Sequence, residues 1–140
     1  MLSAKRWKSI AQLRLKPSRS VFAMRLKRIC SAFEGAQLVG MATFLRETGV
    51  KERHKGRIYG VYVSTGHSGK GVGRALLVEL LERAKRDSSL EQILLAVGSD
   101  RNAAKQLYMS LGFEAFGTEP RALKVGAKYV HEDHMILRLL

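Results

Sequence analysis

The stretch HSGKGVGRALLVELLERAKRD, residues 67–87, constrains the fold more than any other. Three glycines on alternate positions (Gly69, Gly71, Gly73) run directly into a helical pattern. In it Leu76, Leu80 and Ala84 stack four apart beside Leu77 and Leu81, while Glu79–Arg83 and Glu82–Arg86 can pair on the outer face. A helix with one apolar stripe needs a layer to pack on. The runs on either side supply it: RIYGVYVS before, a β-rich strand from about Ile58 to Ser64, and EQILLAV after, a buried strand. The glycines have their own chemistry. Backbone N–H groups at a helix start lack partners and carry partial positive charge, so they welcome an anion. Alternating glycine lets the chain curl round a phosphate with no Cβ in the way. Two common phosphate loops fail on spacing. A Gly-x4-Gly-Lys loop begun at Gly66 would need its Lys where Val72 stands. A Gly-x-Gly-x-x-Gly fingerprint would need its third glycine at Arg74 or Leu76.

The remaining chain continues the α/β pattern. ICSAFEGAQLVGMATFLRE reads as two strands joined at Glu34–Gln37, a hairpin signal, and TGVKERHKG as a polar loop. Ser99 or Asp100 is the expected cap of a second helix through NAAKQLYMSL, with Gly112 ending it. Two more strands are expected near Phe113–Phe116 and Met135–Leu139. The order is strand, strand, strand, helix, strand, helix, strand, strand: a mixed sheet with crossover helices.

Charge divides the chain. The net charge is +13, yet residues 1–33 hold nine cations (Lys5, Arg6, Lys8, Arg14, Lys16, Arg19, Arg25, Lys27, Arg28) and no acid. The remainder, with sixteen basic and twelve acidic residues, is only mildly basic. We therefore read residues 1–30 as a basic N-terminal arm and residues 31–140 as one domain. In the arm, Trp7, Ile10, Ala11 and Leu15 have helix-like spacing, interrupted at Pro17. Its Arg-rich, acid-free character suits a solvated helix, a transit segment, or an arm for RNA or anionic lipid. No apolar run approaches the ~18 residues of a membrane span. The single Cys30 cannot form an internal disulfide, which fits a reducing compartment such as the cytoplasm.

The glycine loop does fit one further pattern. The strand end VYV (Val61, Tyr62, Val63), the loop SGKGVG (Ser68, Gly69, Lys70, Gly71, Val72, Gly73) and the helix at once after it resemble the GNAT superfamily of acyl-CoA-dependent N-acetyltransferases. That family's signature is Gln/Arg-x-x-Gly-x-Gly/Ala, and Ser68 departs from it. NAAKQLYMSLGFEAFG is similar to the family's later motif, with Tyr108 and Leu111-Gly112-Phe113 in place. The usual Asn position, seven residues before the Tyr, is Arg101 here, with Asn102 one later. The resemblance covers about residues 32–140. It implies a GNAT fold, a mixed central sheet splayed around acetyl-CoA with flanking helices; the first strand and two helices usual in the family are atypical or incomplete here.

The resemblance also implies roles. The pantetheine arm would pair with backbone groups at Val61 and Val63, and the N–H groups of Gly69, Lys70, Gly71, Val72, Gly73 and Arg74 would hold the pyrophosphate. Lys70 and Arg74 would add charge, and Asn102 would serve at the second motif. Acetyl-CoA is the implied co-substrate, and no metal is expected. HEDH (131–134) has two His three apart at the expected start of a strand, without the helix that a His-Glu-x-x-His site needs. A neutral amine, on a small molecule or a peptide, would attack the thioester, with Tyr108 donating to the leaving thiolate. The base is open among Glu47, Glu119, His67 and water; Glu119-Pro120-Arg121 is alternatively a frame for the acceptor pocket. Two other classes stay in view. One is a CoA-binding domain with weak or no catalysis, given the departures at Ser68 and Arg101. The other is a basic nucleic-acid-binding module, which the arm's lack of Arg/aromatic alternation disfavours. A homodimer is compatible with the resemblance.

Overall fold

The computed structural model describes residues 13–19 and 27–139. Among the described residues seven strands form one sheet: β1 (Leu13–Arg19), β2 (Lys27–Glu34), β3 (Gln37–Arg46), β4 (Lys55–Val63), β5 (Gln92–Gly98), β6 (Glu114–Val125) and β7 (Lys128–Arg138). Their spatial order is β1-β2-β3-β4-β5-β7-β6. Two helices, α1 (Val72–Lys85) and α2 (Asn102–Ser110), are the crossovers on either side of β5. All pairings are antiparallel except β4–β5, which α1 makes parallel.

The core lies between α1 and the sheet. Val72, Leu76, Leu77, Leu80, Leu81 and Ala84 of α1 are all buried, the apolar stripe read from the sequence. They pack on Cys30, Ala32, Ala42 and Phe44 of β2 and β3. Close approach depends on missing side chains. A Cβ on Gly40 would lie 2.8 Å from Leu76 Cδ1 and 2.9 Å from Val72 Cγ1, and one on Gly56 would lie 2.3 Å from the Phe44 ring. The outer face of α1 carries the Arg83–Glu79 ion pair at 2.6 Å. Beyond its C-terminus Asp87 pairs with Arg46 of β3; hydrogen bonds from Ser89 and that cation hold the Asp87 carboxyl below its usual range. Cys30 is fully buried, and burial pushes its thiol pKa up.

Three expectations change. Within the segment read as a basic arm, Leu13–Arg19 is a strand paired with β2, and β2 itself begins at Lys27. Leu15 is thus a strand residue packed against the core, not part of a helix. Pro17 stands on β1, the edge strand among the described residues, where a residue without an N–H is best tolerated. Trp7, Ile10, Ala11 and the cations Lys5, Arg6, Lys8 and Arg25 lie outside the described residues. Second, the last two strands are not short pieces but a long hairpin. β6 bulges at two places, the second between Glu119 and Leu123, where Arg121 takes φ 52°. Third, neither Ser99 nor Asp100 caps α2: Arg101 occupies the cap position without a side-chain bond. The Ser99 hydroxyl instead donates to Asp133 Oδ1 at 2.9 Å. Among the described residues no helix is long and apolar enough to cross a membrane.

Candidate active site

β4 carries one residue too many for its neighbour. Thr43 pairs with Tyr59 and Met41 with Tyr62, so two steps along β3 face three along β4. The extra residue is accommodated at Gly60, whose φ of 56° a side chain would resist. The bulge bends the strand as it runs beside β5. The two pair only over Lys55–Arg57 against Gln92–Leu94 and then part. Between them opens a cleft of about 610 Å³.

Strand alternation assigns the cleft walls. Gly56 and Ile93 are cross-strand partners on the side of the sheet that carries α1 and α2, so Arg57 and Leu94 face the opposite side. On that opposite face Tyr59 follows Arg57, and Ala96 follows Leu94. Glu132 of β7, directly across from Gly98, joins them. On the helix side the wall is α2, through Ala104 and Tyr108. Tyr108 is only 7% exposed, its ring edge-on to Phe113 at 6.1 Å. Burial raises its pKa, so the phenol keeps its proton across the physiological range.

At the cleft's edge lies the glycine loop. A short 3₁₀ turn, Thr65–His67, follows β4, and Gly69 (φ 73°) and Gly71 (φ 85°) then turn the chain in the left-handed region into α1. The first bond of the helix runs from Ala75 N–H to Gly71 O (3.0 Å), so the N–H groups of Val72, Gly73 and Arg74 are first-turn donors with no carbonyl four residues back inside the helix. The Lys70 N–H already reaches His67 O at 3.4 Å. Gly73 is the joint of the site: a Cβ there would sit 3.5 Å from both Val63 of β4 and Leu107 of α2. Arg74 donates to Ser110 Oγ of α2 at 2.9 Å, tying the two helices together.

The expected residues therefore fall into groups. Val61 and Tyr108 line the cleft together; Val63 and Gly73 meet beside it, and Ser68, Gly69 and Lys70 are exposed on the loop. Tyr62 is 52% exposed. Asn102 opens α2 on its exposed side, and it is Arg101 that reaches the cleft. The three named candidates for the base lie elsewhere. Glu47 holds Arg57 Nε at 2.8 Å, while His67 is held between Ser64 Oγ (2.7 Å) and Glu34. Glu119 is exposed on β6, and the Arg121 guanidinium next to it is stacked 4.3 Å over the Tyr129 ring. The HEDH residues are in mid-strand, not at a strand start, and His131 and His134 point to opposite faces. Among the described residues no cluster of His, Cys, Asp or Glu could hold a metal ion.

Arg57, Tyr59 and Glu132 were not singled out from the sequence. The signal for the first two was the alternation in RIYGVYV, once the strand's apolar face is known. Glu132 had none, because the strand was expected to begin only near Met135, leaving Glu132 at its entry rather than in its ladder. Beside it, Asp133 is buried toward α2, where it receives Lys105 Nζ at 2.6 Å and the hydroxyls of Thr118 and Ser99. These donors hold its pKa down to about 2.

Comparison with known proteins agrees with this geometry. Residues 5–113 match the Acetyltransferase (GNAT) family. The N-alpha-acetyltransferase RimI of Mycobacterium tuberculosis is 34% identical over 94 residues, 67% of this chain and 56% of that protein. The L-amino acid N-acyltransferase MnaT of Escherichia coli is 37% identical over 71 residues, 51% of this chain and 39% of that protein. An uncharacterized Mycobacterium leprae protein, ML0378, is 34% identical over 106 residues, 73% of this chain but 28% of its own length. The chain thus spans between about a quarter and just over half of these relatives. Among solved structures, a probable acetyltransferase from Staphylococcus epidermidis superposes with a TM-score of 0.76 at 27% identity, over 99% of this chain and 78% of that one. A putative acetyltransferase from Salmonella typhimurium, yncA, solved with its cofactor acetyl-CoA, gives 0.73 at 26%, over 81% and 65%. The bulged β4, the parted strands, the glycine loop at the head of α1 and these matches lead to one conclusion: the chain belongs to the GNAT acetyltransferase family.

Proposed function

We propose that this chain transfers an acetyl group from acetyl-CoA to a primary amine by direct attack. The observation that carries the reading is the cleft between the parted β4 and β5, with Tyr108 in its wall and the glycine loop beside it. Beyond Arg57 the backbone of β4 has no β5 ladder, and an extended pantetheine arm would supply one at Val61 and Val63, with Tyr62 between them. The first-turn donors of Val72, Gly73 and Arg74, with the loop residues Ser68, Gly69, Lys70 and Gly71, would then cradle the pyrophosphate, helped by the helix dipole. Asn102 would contribute from the head of α2. The relatives named for amino-acid and protein N-terminal acetylation support an amine acceptor, small or peptidic.

The chemistry follows from the cleft. The acceptor amine must be neutral to attack; the C–S bond then breaks and the thiolate leaves. Its ordinary pKa lies below that of a tyrosine raised by burial, so Tyr108 serves as a hydrogen-bond donor that steadies the thiolate. The test is thermal stability with saturating acetyl-CoA or desulfo-CoA, with ATP as comparison. A ligand at 100 times its dissociation constant adds about 2.7 kcal/mol. A rise with both CoA compounds and not with ATP supports the reading; no rise with either, in folded protein, overturns it. Free-thiol release with a panel of amines then separates a transferase from a domain that only binds CoA.

A further inference from the structure

We propose that Glu132 is the group that takes the proton from the acceptor ammonium; this rests on the transferase reading above. Direct attack sets a geometric demand, because the proton acceptor must stand on the side from which the amine arrives and the thiolate's donor on the side to which the sulfur leaves. The cleft has two such sides. Tyr108 reaches it from the helix side, on α2. Glu132 reaches it on the face opposite α1 and α2, half-buried and fixed on β7 opposite Gly98, at the end of β5 where the strands have parted. Glycine at that partner position leaves no side chain between the carboxylate and the opening.

Elimination points the same way. Glu47 and His67 are occupied in other pairs, and neither they nor Glu119 line the cleft. Of the two carboxylates that do, Asp100 is exposed in the turn before α2, whereas Glu132 is held by ladders on both sides of its strand. The charged and titratable groups around Glu132 are Glu119 directly across on β6, His134 two residues on along β7, Arg57 and Tyr59 from β4, and Asp100 and Arg101 from the head of α2. The step balances simply. The ammonium loses one proton to the Glu132 carboxylate, and the neutral amine forms the C–N bond as the C–S bond breaks. After the C–N bond has formed, nitrogen loses its second proton to solvent. The departing thiolate is held by the Tyr108 hydrogen bond and takes a proton from solvent, and Glu132 returns its own proton to solvent, so one proton is released per turnover.

The experiment compares the wild type with Glu132→Gln, using L-methionine sulfone and a short peptide with an N-terminal alanine as acceptors. Glu132→Gln is expected to bind desulfo-CoA as the wild type does, with kcat/KM toward the amine lowered about 10²-fold at pH 7. The loss should shrink as pH approaches the acceptor's own pKa, where solvent supplies the neutral amine. Glu82→Gln, exposed on the outer face of α1 and away from the cleft, should stay within about threefold of wild type, a control for loss of a carboxylate alone. Unchanged activity in Glu132→Gln, a loss equal at every pH, or the same signature in Asp100→Asn overturns the assignment. If Glu132→Gln loses desulfo-CoA binding, Glu132→Asp decides: partial activity with the wild-type pH profile supports the base, and inactivity overturns it. A wild type that binds desulfo-CoA but acetylates neither acceptor overturns the transferase reading and the base with it.

Discussion

The two helices lie on the same side of one sheet and are held to it by opposite means. α1 buries six side chains in a continuous apolar stripe, whereas α2 buries one, Tyr108. Ala104 and Leu107 of α2 pack against the core only partly buried, and polar ties add to them, from Lys105 to Asp133 and from Ser110 to Arg74. Apolar burial at about 1.5–3 kcal/mol for each large side chain makes α1 the main anchor of the fold. A helix with so little buried area is fixed in position mainly by where its few hydrogen bonds and ion pairs go. α1 is built for stability, α2 for placement.

Substitutions can break that contrast. Leu76→Ala should cost about 2–5 kcal/mol, since Leu76 is fully buried over Gly40, and should lower the melting temperature by roughly 10 °C. Tyr108→Phe should lower kcat about 100-fold, equivalent to ~2.7 kcal/mol of barrier, with desulfo-CoA affinity and melting temperature nearly unchanged. If Tyr108→Phe unfolds the protein while Leu76→Ala is tolerated, the division of labour is wrong. Asp133 sharpens it further. Its folded pKa of about 2 lies below its ordinary value of 3.8, so its contribution is complete above about pH 4 and fades as pH falls toward 2. Denaturant midpoints for wild type and Asp133→Asn should therefore converge as pH drops through that window. The smallest effect belongs to the outer face of α1, where Arg83→Ala should cost only about 0.3–0.5 kcal/mol in a urea titration, the pair with Glu79 being partly exposed.

Legibility followed the same line. α1 and its glycine loop could be read because periodic leucines and alternating glycines answer to local geometry. The hairpin at Gly35 and the buried strand before α2 were legible for the same reason. β6 was cut short in the reading because its residues are almost all exposed and its run carries Gly117, Pro120 and two bulges, so no period-2 pattern survives. β1 was misread because Leu13 and Leu15 suit a helix or a strand equally, and only pairing with β2 decides. Of the residues lining the cleft, Val61 and Tyr108 are ones to which the family resemblance pointed. Arg57 and Glu132 reach the cleft through strand parity and a bulge, which are properties of the assembled sheet.

One buried atom turns this architecture into its own gauge. The Cys30 sulfur is the sole thiol in the sequence, sealed between β1 and β3 under α1, and kept protonated by its surroundings. An alkylating reagent meets it only when the sheet lifts from the helix. The rate of labelling therefore counts openings of the core directly, without spectroscopic signal or engineered probe. Slowing of that rate when a CoA compound is added would report, from the interior, how firmly the far end of α1 is gripped.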